Sequence, residues 1–291
     1  MWKRLLGVLL LCCLLVPVGA QAELFLGTES PAEWAEKDIM RLTQLDTNRS
    51  DCLLLECGGQ SMLIDGGYPA FRFFVAAYLR ESGHEHLDYI LNTHPHDDHI
   101  ATTIELVKNG FSADLFLSPF EKEYNDSYQK RMVRALDAAG IPYQQVHEGD
   151  TVTMGGATIE IHTMEQAKDV NQRSAMLKIS FGDSTALLCA DIPFVTMEAY
   201  LAQLGADYLK ADICKAPHHG IGYFSQDFLA AVNPALVTVP NNKSQDNGKV
   251  TGQCRKRGIP CLLSGEGTLV METDGTDWYV WQLPQRVVSS Y

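Results

Sequence analysis

The sequence predicts a mixed α/β (α+β) fold in which two sheets pack face to face with helices outside them, an αββα four-layer sandwich. Three features carry this expectation. Strand meanders stand near both ends of the chain, strand and helix signals alternate between them, and no fixed-period repeat or low-complexity linker marks a second domain. The 291 residues suit one large domain once the first segment is set aside.

That segment reads as a secretory leader over residues 1–22. Lys3 and Arg4 precede an apolar run from Leu5 to Val16, Pro17 and Gly19 break the run, and Ala20-Gln21-Ala22 supplies a small-x-small cleavage pattern. The run is too short to cross a bilayer of roughly 30 Å comfortably, although an uncleaved anchor has an overlapping pattern. A single domain at 23–291 is therefore expected, exported to a secreted, periplasmic or cell-surface location, with no membrane span in the mature chain.

Glu23 to Glu36 reads as an irregular lead-in. Strands follow at Ile39–Asp46, Cys52–Glu56 and Ser61–Ile64, with turn residues Asn48-Arg49-Ser50 and Gly58-Gly59 between them. Asp65-Gly66-Gly67 closes this meander. Apolar residues at helical spacing cover Phe71–Glu81, and a short buried strand at Leu87–Asn92 runs into a histidine cluster. Helices are expected at Ile100–Lys108 and Tyr128–Ala139, with a strand near Asp114–Leu117. Residues Gly149 to His162 alternate as strands around Gly155-Gly156. Met176–Phe181 and Ser184–Cys189, joined at Gly182-Asp183, give the strongest hairpin signal. A helix at Val195–Leu204, strand Ile213–Ala216, helix Gln226–Val232 and strand Leu236–Val239 come next. Strands Thr268–Glu272 and Trp278–Gln282 flank Asp274-Gly275 at the end.

Charge narrows the partners. The whole chain carries −13, and without Lys3 and Arg4 the balance is about −15. Such a surface opposes tight, extended nucleic-acid binding, yet leaves cleavage of a small or polymeric phosphoester possible at a metal centre. Six cysteines follow the leader. Cys254 and Cys261 are the pair a short loop can join as a disulfide, while Cys189 and Cys214 in apolar strands read as buried hydrophobes. No C-x-x-C spacing indicates a structural zinc knuckle.

The chemical signal is Thr93-His94-Pro95-His96-Asp97-Asp98-His99, directly after a strand. In a tight loop His94 and His96 can face one ion while Asp98 and His99 turn toward a second; imidazole and carboxylate suit Zn²⁺, and also Mn²⁺ or Fe²⁺. One loop cannot close two sites. Asp191 stands at the end of an apolar strand, where it can bridge two ions or simply cap the next helix. His218 and His219 stand at another strand end, before Gly220.

Taken in order, Asp65-Gly66-Gly67, the H-x-H-x-D-H run, Ala190-Asp191 and Lys215-Ala216-Pro217-His218-His219-Gly220 resemble the metallo-β-lactamase superfamily. The Pro-His-His-Gly form, Leu45-Asp46 with Asp51, Asn171-x-x-Ser174, and Gly267 with Thr273-Asp274-Gly275 are similar to the hydrolase domain of competence DNA-uptake proteins. The resemblance covers roughly residues 39 to 283. It implies the αββα fold and two divalent metal ions, Zn²⁺ or Mn²⁺. His94, His96 and Asp191 would hold one, and Asp98, His99, Asp191 and His219 the other. His218 would face the substrate, Lys215 would contact an anionic group unless it points to solvent, and Asn171 and Ser174 would line the site. His162 reads as structural. The sequence departs from the pattern at Thr47-Asn48-Arg49-Ser50, Ala101-Thr102, Ala190 and Ile221, and no departure removes a ligand.

The expected reaction is hydrolysis of a phosphodiester or phosphoester by a hydroxide held between the metals, with Asp98 orienting it and His218 stabilising the developing charge. Alternatives are hydrolysis of a lactam, lactone or thioester carbonyl, or a catalytically inactive binding protein of the same fold.

Overall fold

The structure is a computed structural model that describes residues 22–285. Nearly all of the expected leader, residues 1–21, lies outside the described residues.

The elements run in the following order. β1 (Leu24–Leu26), β2 (Met40–Gln44), β3 (Leu53–Cys57) and β4 (Gln60–Ile64) are followed by α1 (Arg72–Glu81), β5 (His86–Leu91), α2 (Asp97–Lys108), β6 (Ser112–Ser118), α3 (Ser127–Ala139) and β7 (Tyr143–Gln145). Next come β8 (Thr151–Met154), β9 (Ala157–His162), β10 (Met176–Phe181), β11 (Ser184–Leu188), α4 (Phe194–Leu204), α5 (Ala206–Leu209) and β12 (Ile213–Lys215). The chain ends with α6 (Gln226–Val232), β13 (Leu236–Val239), α7 (Lys249–Arg257), β14 (Cys261–Leu263), β15 (Leu269–Thr273) and β16 (Trp278–Gln282).

The first sheet has nine strands in the order β1-β16-β15-β2-β3-β4-β5-β6-β7, and the second seven in the order β14-β13-β12-β11-β10-β9-β8. Side-chain alternation makes four layers out of them. Leu53, Leu55, Met62 and Ile64 point into the core between the sheets, whereas Leu54 and Leu63 from the same strands join the cluster under α1, α2 and α3. A sheet covered on both faces reads as an uninterrupted apolar run, as Leu53-Leu54-Leu55 does. Met176, Leu187 and Cys214 on the second sheet pack against α4 and α6 in a third cluster. The αββα sandwich expected from the sequence is what the chain adopts.

Strands run parallel from β4 through β5 and β6 to β7, and from β11 through β12 and β13 to β14. The ends of β5, β11 and β12 therefore open on one side, and the loops leaving them carry the histidines and Asp191. Among the described residues no helix is long and apolar enough to cross a membrane.

Several expectations need correction. The lead-in is not wholly irregular: β1 pairs in parallel with β16, and a 3-10 turn at Ala32–Glu36 buries Trp34. The α2 helix begins at Asp97 rather than Ile100, so Asp98 and His99 stand in its first turn and not in a loop; Asp97 and Asp98 there are favoured by the helix dipole. Besides β1, four further strands and helices were not foreseen: β7, α5, α7 and β14. All are short, and α7 buries only Val250, Gln253 and Cys254 while ending in Arg255, Lys256 and Arg257, so its apolar stripe is faint. The six cysteines among the described residues are free thiols, and the expected pair Cys254 and Cys261 forms no disulfide.

Candidate metal centre

The histidine run leaves the end of β5 and enters α2 through His96, whose extended backbone makes it the residue before the helix. The Asp65-Gly66-Gly67 turn lies against that helix start, where the Gly66 and Gly67 amides donate to the His99 carbonyl at 2.6 and 3.2 Å. A Cβ on Gly66 would come within 2.7 Å of the Thr103 nitrogen, so only glycine lets the turn approach α2 this closely. On the second sheet, Ala190, His218 and His219 all adopt left-handed backbone, with φ of +43°, +48° and +50°. Three non-glycine residues in that region beside the site are strain that the surrounding packing must hold.

The side chains converge on Asp191. Its Oδ2 lies 3.8 Å from His94 Nε2, 3.4 Å from His219 Nε2 and 3.6 Å from His218 Nε2, and its Oδ1 lies 3.2 Å from His99 Nε2. His96 Nδ1 stands 3.0 Å from His94 Nε2. Asp98 places Oδ2 3.1 Å from His219 Nε2 and Oδ1 3.9 Å from His99 Nε2. His99 Nε2 and His219 Nε2 face each other at 3.3 Å. All six residues expected as ligands are thus brought together, along with His218.

Two more carboxylates stand behind the histidines. Asp65 Oδ2 accepts from His99 Nδ1 at 2.7 Å and from the Thr93 hydroxyl, while its Oδ1 accepts from Asn92 Nδ2 and the Thr93 amide, both at 2.8 Å. Asp51 Oδ1 accepts from His219 Nδ1 at 3.1 Å, and its Oδ2 accepts from Lys215 Nζ. Each carboxylate fixes the proton on Nδ1 and leaves the Nε2 lone pair aimed at Asp191. The nearest donor atoms of Asp51, His99, Asp191 and His219 lie within 4.8 Å of one another. Asp51 nonetheless belongs behind the cluster, because its oxygens face His219 Nδ1 and Lys215.

Electrostatics follow the geometry. Burial alone would lower His99, but Asp191 and Asp65 raise it to about 10. His219 is likewise pushed up against its burial by Asp191 and Asp51, and burial pushes His94 well down. Burial works against ionisation of Asp51, yet Lys215 and His219 hold it at about 2. Asp191 and Asp98 are both lowered by neighbouring histidines in spite of burial. Half-buried His218 is lowered, mainly by desolvation, and is neutral near pH 7.

These residues fit divalent cations. Asp191 Oδ1 is buried without a sound hydrogen bond, and two imidazole Nε2 lone pairs meet head-on beside it. A cation satisfies all three acceptors at once. The donors are imidazole nitrogen and carboxylate oxygen, the set preferred by Zn²⁺, Mn²⁺ and Fe²⁺.

The expected substrate contacts fare unevenly. Lys215 neither points to solvent nor faces an open cleft: it is 1% exposed and donates to Asp51 and to the Ala190 carbonyl at 3.0 Å. A buried strand position leaves its ammonium no access to substrate. Ser174 is fully buried, with its hydroxyl donating to the Asn171 carbonyl at 2.8 Å, so it shapes the loop rather than offering a contact. Asn171 keeps a buried Oδ1 without a partner. The loop they share reaches the histidine run through the Ala175 amide, which donates to the Thr93 carbonyl at 3.1 Å. His162 is structural, as expected, bonded to Glu148 at 2.9 Å and to the Tyr208 hydroxyl at 2.6 Å.

A family model described as the metallo-beta-lactamase superfamily matches residues 45–221. That span contains every residue of the cluster. No curated protein matches the sequence. Solved structures that share the fold at low identity include the following three. The metallo-beta-lactamase fold protein YhfI from Bacillus subtilis is 14% identical, with 81% of this chain and 100% of that one covered and a TM-score of 0.55. CmlA, a diiron beta-hydroxylase from Streptomyces venezuelae, is 14% identical over 81% of this chain, with a TM-score of 0.52; this chain spans 53% of its length. Igni18, a metallo hydrolase from Ignicoccus hospitalis, is 15% identical over 79% of this chain and 98% of its own, with a TM-score of 0.51.

Proposed function

The chain belongs to the metallo-β-lactamase superfamily, and from that premise we propose that it is an exported metal-dependent hydrolase of phosphodiesters or phosphoesters. The observation that carries a metal-dependent reading is the pair of Nε2 atoms, on His99 and His219, facing each other at 3.3 Å over Asp191 with both Nδ1 atoms engaged by carboxylates. His94, His96 and Asp191 would hold one ion; Asp98, His99, Asp191 and His219 the other. Bound there, two divalent ions would supply Lewis acidity and lower the pKa of a nearby water toward neutrality.

The remaining work falls to side chains. Asp98, partly exposed and ionised at neutral pH, uses Oδ2 against His219 and presents Oδ1 to orient an attacking water. Neutral His218, its side chain 35% exposed at the mouth of the cluster, donates a hydrogen bond to the oxygen on which charge develops. The resemblance of Pro217-His218-His219-Gly220 to the competence-protein hydrolases supports phosphorus over carbonyl as the centre attacked. The net charge of −13 supports a short or small substrate over a long polyanion, because no polyanion approaches such a surface without a cost that grows with its length. The leader pattern at residues 1–22 supports action outside the cytoplasm.

The test is a substrate screen on protein loaded separately with Zn²⁺, Mn²⁺ and Fe²⁺. Turnover of bis-p-nitrophenyl phosphate or a dinucleotide is expected. Turnover of nitrocefin or a lactone alone would move the reading to carbonyl hydrolysis, and inactivity on every substrate, with metal bound, would move it to a binding protein.

A further inference from the structure

Lys215 is a buried cation in the wrong place for substrate and in the right place for something else. It stands on β12, four residues before His219, and is 1% exposed. Its ammonium reaches two other segments. One is Asp51, in the loop between β2 and β3, which in turn accepts from His219 Nδ1. The other is the carbonyl of Ala190, the left-handed residue that presents Asp191. That carbonyl also accepts from the His218 amide at 2.9 Å.

The two histidines that face each other are therefore backed differently. Asp65, behind His99, is held by three neutral donors: Asn92 Nδ2, the Thr93 amide and the Thr93 hydroxyl. Asp51, behind His219, is held on its other oxygen by a single ammonium. A buried carboxylate needs a partner for each oxygen, or its ring-facing lone pair is free to swing away. Asp65 has spare donors; Asp51 depends on Lys215. His219 also sits at φ +50°, a strained backbone whose carbonyl is pinned by Asn241 Nδ2 at 3.0 Å, so the direction of the ring is left to its Nδ1 partner.

We propose that Lys215 is a positioning residue: through Asp51 it fixes the tautomer and direction of the His219 ring, and so sets the affinity of the ion that His219 helps to hold. This deepens the metal-dependent reading and rests on it. The ion on the His94 and His96 side is insulated, because Ala190 keeps the His218 amide as a donor when Lys215 is removed.

The variant that tests this replaces both charges, Lys215→Met with Asp51→Asn, so that no unpaired charge is left in the interior. Zn²⁺ and Mn²⁺ titrations against the full chain would be compared with wild type. Two equivalents in wild type check the underlying metal reading on their own. In the double variant the second equivalent is expected to weaken about 10- to 100-fold while the first stays within about threefold. Unchanged affinity at both, or equal weakening of both, overturns the proposal, since a merely structural lysine would spare both or damage both. Should the variant fail to fold, wild type decides alone. In Zn²⁺-loaded, ¹⁵N-histidine-labelled protein, the His219 proton is expected on Nδ1 and hydrogen-bonded; a proton on Nε2 overturns the proposal.

Discussion

The decisive contacts are single atoms. His99 and His219 turn their Nδ1 protons onto Asp65 and Asp51, and that alone leaves two Nε2 lone pairs facing across 3.3 Å. Without metal, each Nε2 stands against an Asp191 oxygen that favours the protonated ring. His99 sits at about 10 and His219 is raised well above its usual value, so these protons are held in the neutral range. A cation must displace them. Metal binding is thus expected to release at least one proton per chain at pH 7, with apparent affinity rising about tenfold per pH unit and flattening only near pH 10. Calorimetric titrations in buffers of different ionisation enthalpy measure this directly, and a buffer-independent heat would contradict it. His218→Ala is expected to leave the metal content at wild type while lowering kcat roughly 10²- to 10³-fold with little change in KM, as removal of one oxyanion donor does; kinetics alongside metal analysis check both parts. At this scale the sequence was legible where residue type and spacing coincided. His94, His96, Asp98, His99, Asp191 and His219 all stood out, and all converge. Asp51 and Asp65 were visible only as motif letters, because a carboxylate's role behind a ring depends on contacts 168 and 34 residues apart in the chain. Lys215 read as an anion contact or a solvent-facing lysine for the same reason: a lysine on a strand gives no sign that its ammonium is buried.

Among the elements, long periodic segments were readable and short ones were not. The β10–β11 hairpin pairs Ile179 with Ala186 across the expected Gly182-Asp183 turn, and α6 and β13 fall where the apolar pattern put them. Strand β7 has three residues with none buried, and β14 likewise has three, so neither offers a period to count. The start of α2 was placed three residues late because His96 carries no Ser, Thr, Asp or Asn signal, and Asp98 and His99 in the first turn were read as ligands on a tight loop. Turns at the far end of the sandwich also matter. Gly58 in the β3–β4 turn has φ of +55°, and a Cβ there would lie 2.5 Å from the Gly155 Cα in the β8–β9 turn of the other sheet. Gly58→Ala is therefore expected to destabilise the fold by more than about 1 kcal/mol, combining left-handed strain with a backbone clash. Urea denaturation checks the size. Metal equivalents per folded chain should not change, since this contact is remote from the strand ends that carry the histidines.

For the whole molecule, the fold follows from two sheets that each need both faces covered, and the site follows from where their parallel strands end. Loops from β5, β11 and β12 meet at one mouth, with Asp51 behind them from a fourth segment. The chain as a whole carries a net charge of −13. If a phosphodiester is the substrate, kcat/KM for a dinucleotide is expected to equal or exceed that for long single-stranded DNA at low salt, and the gap should narrow as salt screens the surface. A steady gain with length would instead point to a basic track that this charge balance opposes. Convergence of the histidines on Asp191 predicts a defined metal content, which elemental analysis measures. Purified without chelator and dialysed against Zn²⁺ or Mn²⁺, the wild-type chain should carry about two equivalents, and Asp191→Ala, folded by circular dichroism, should carry well under one. A metal-free wild type, or an Asp191→Ala chain that keeps both ions, would contradict the account.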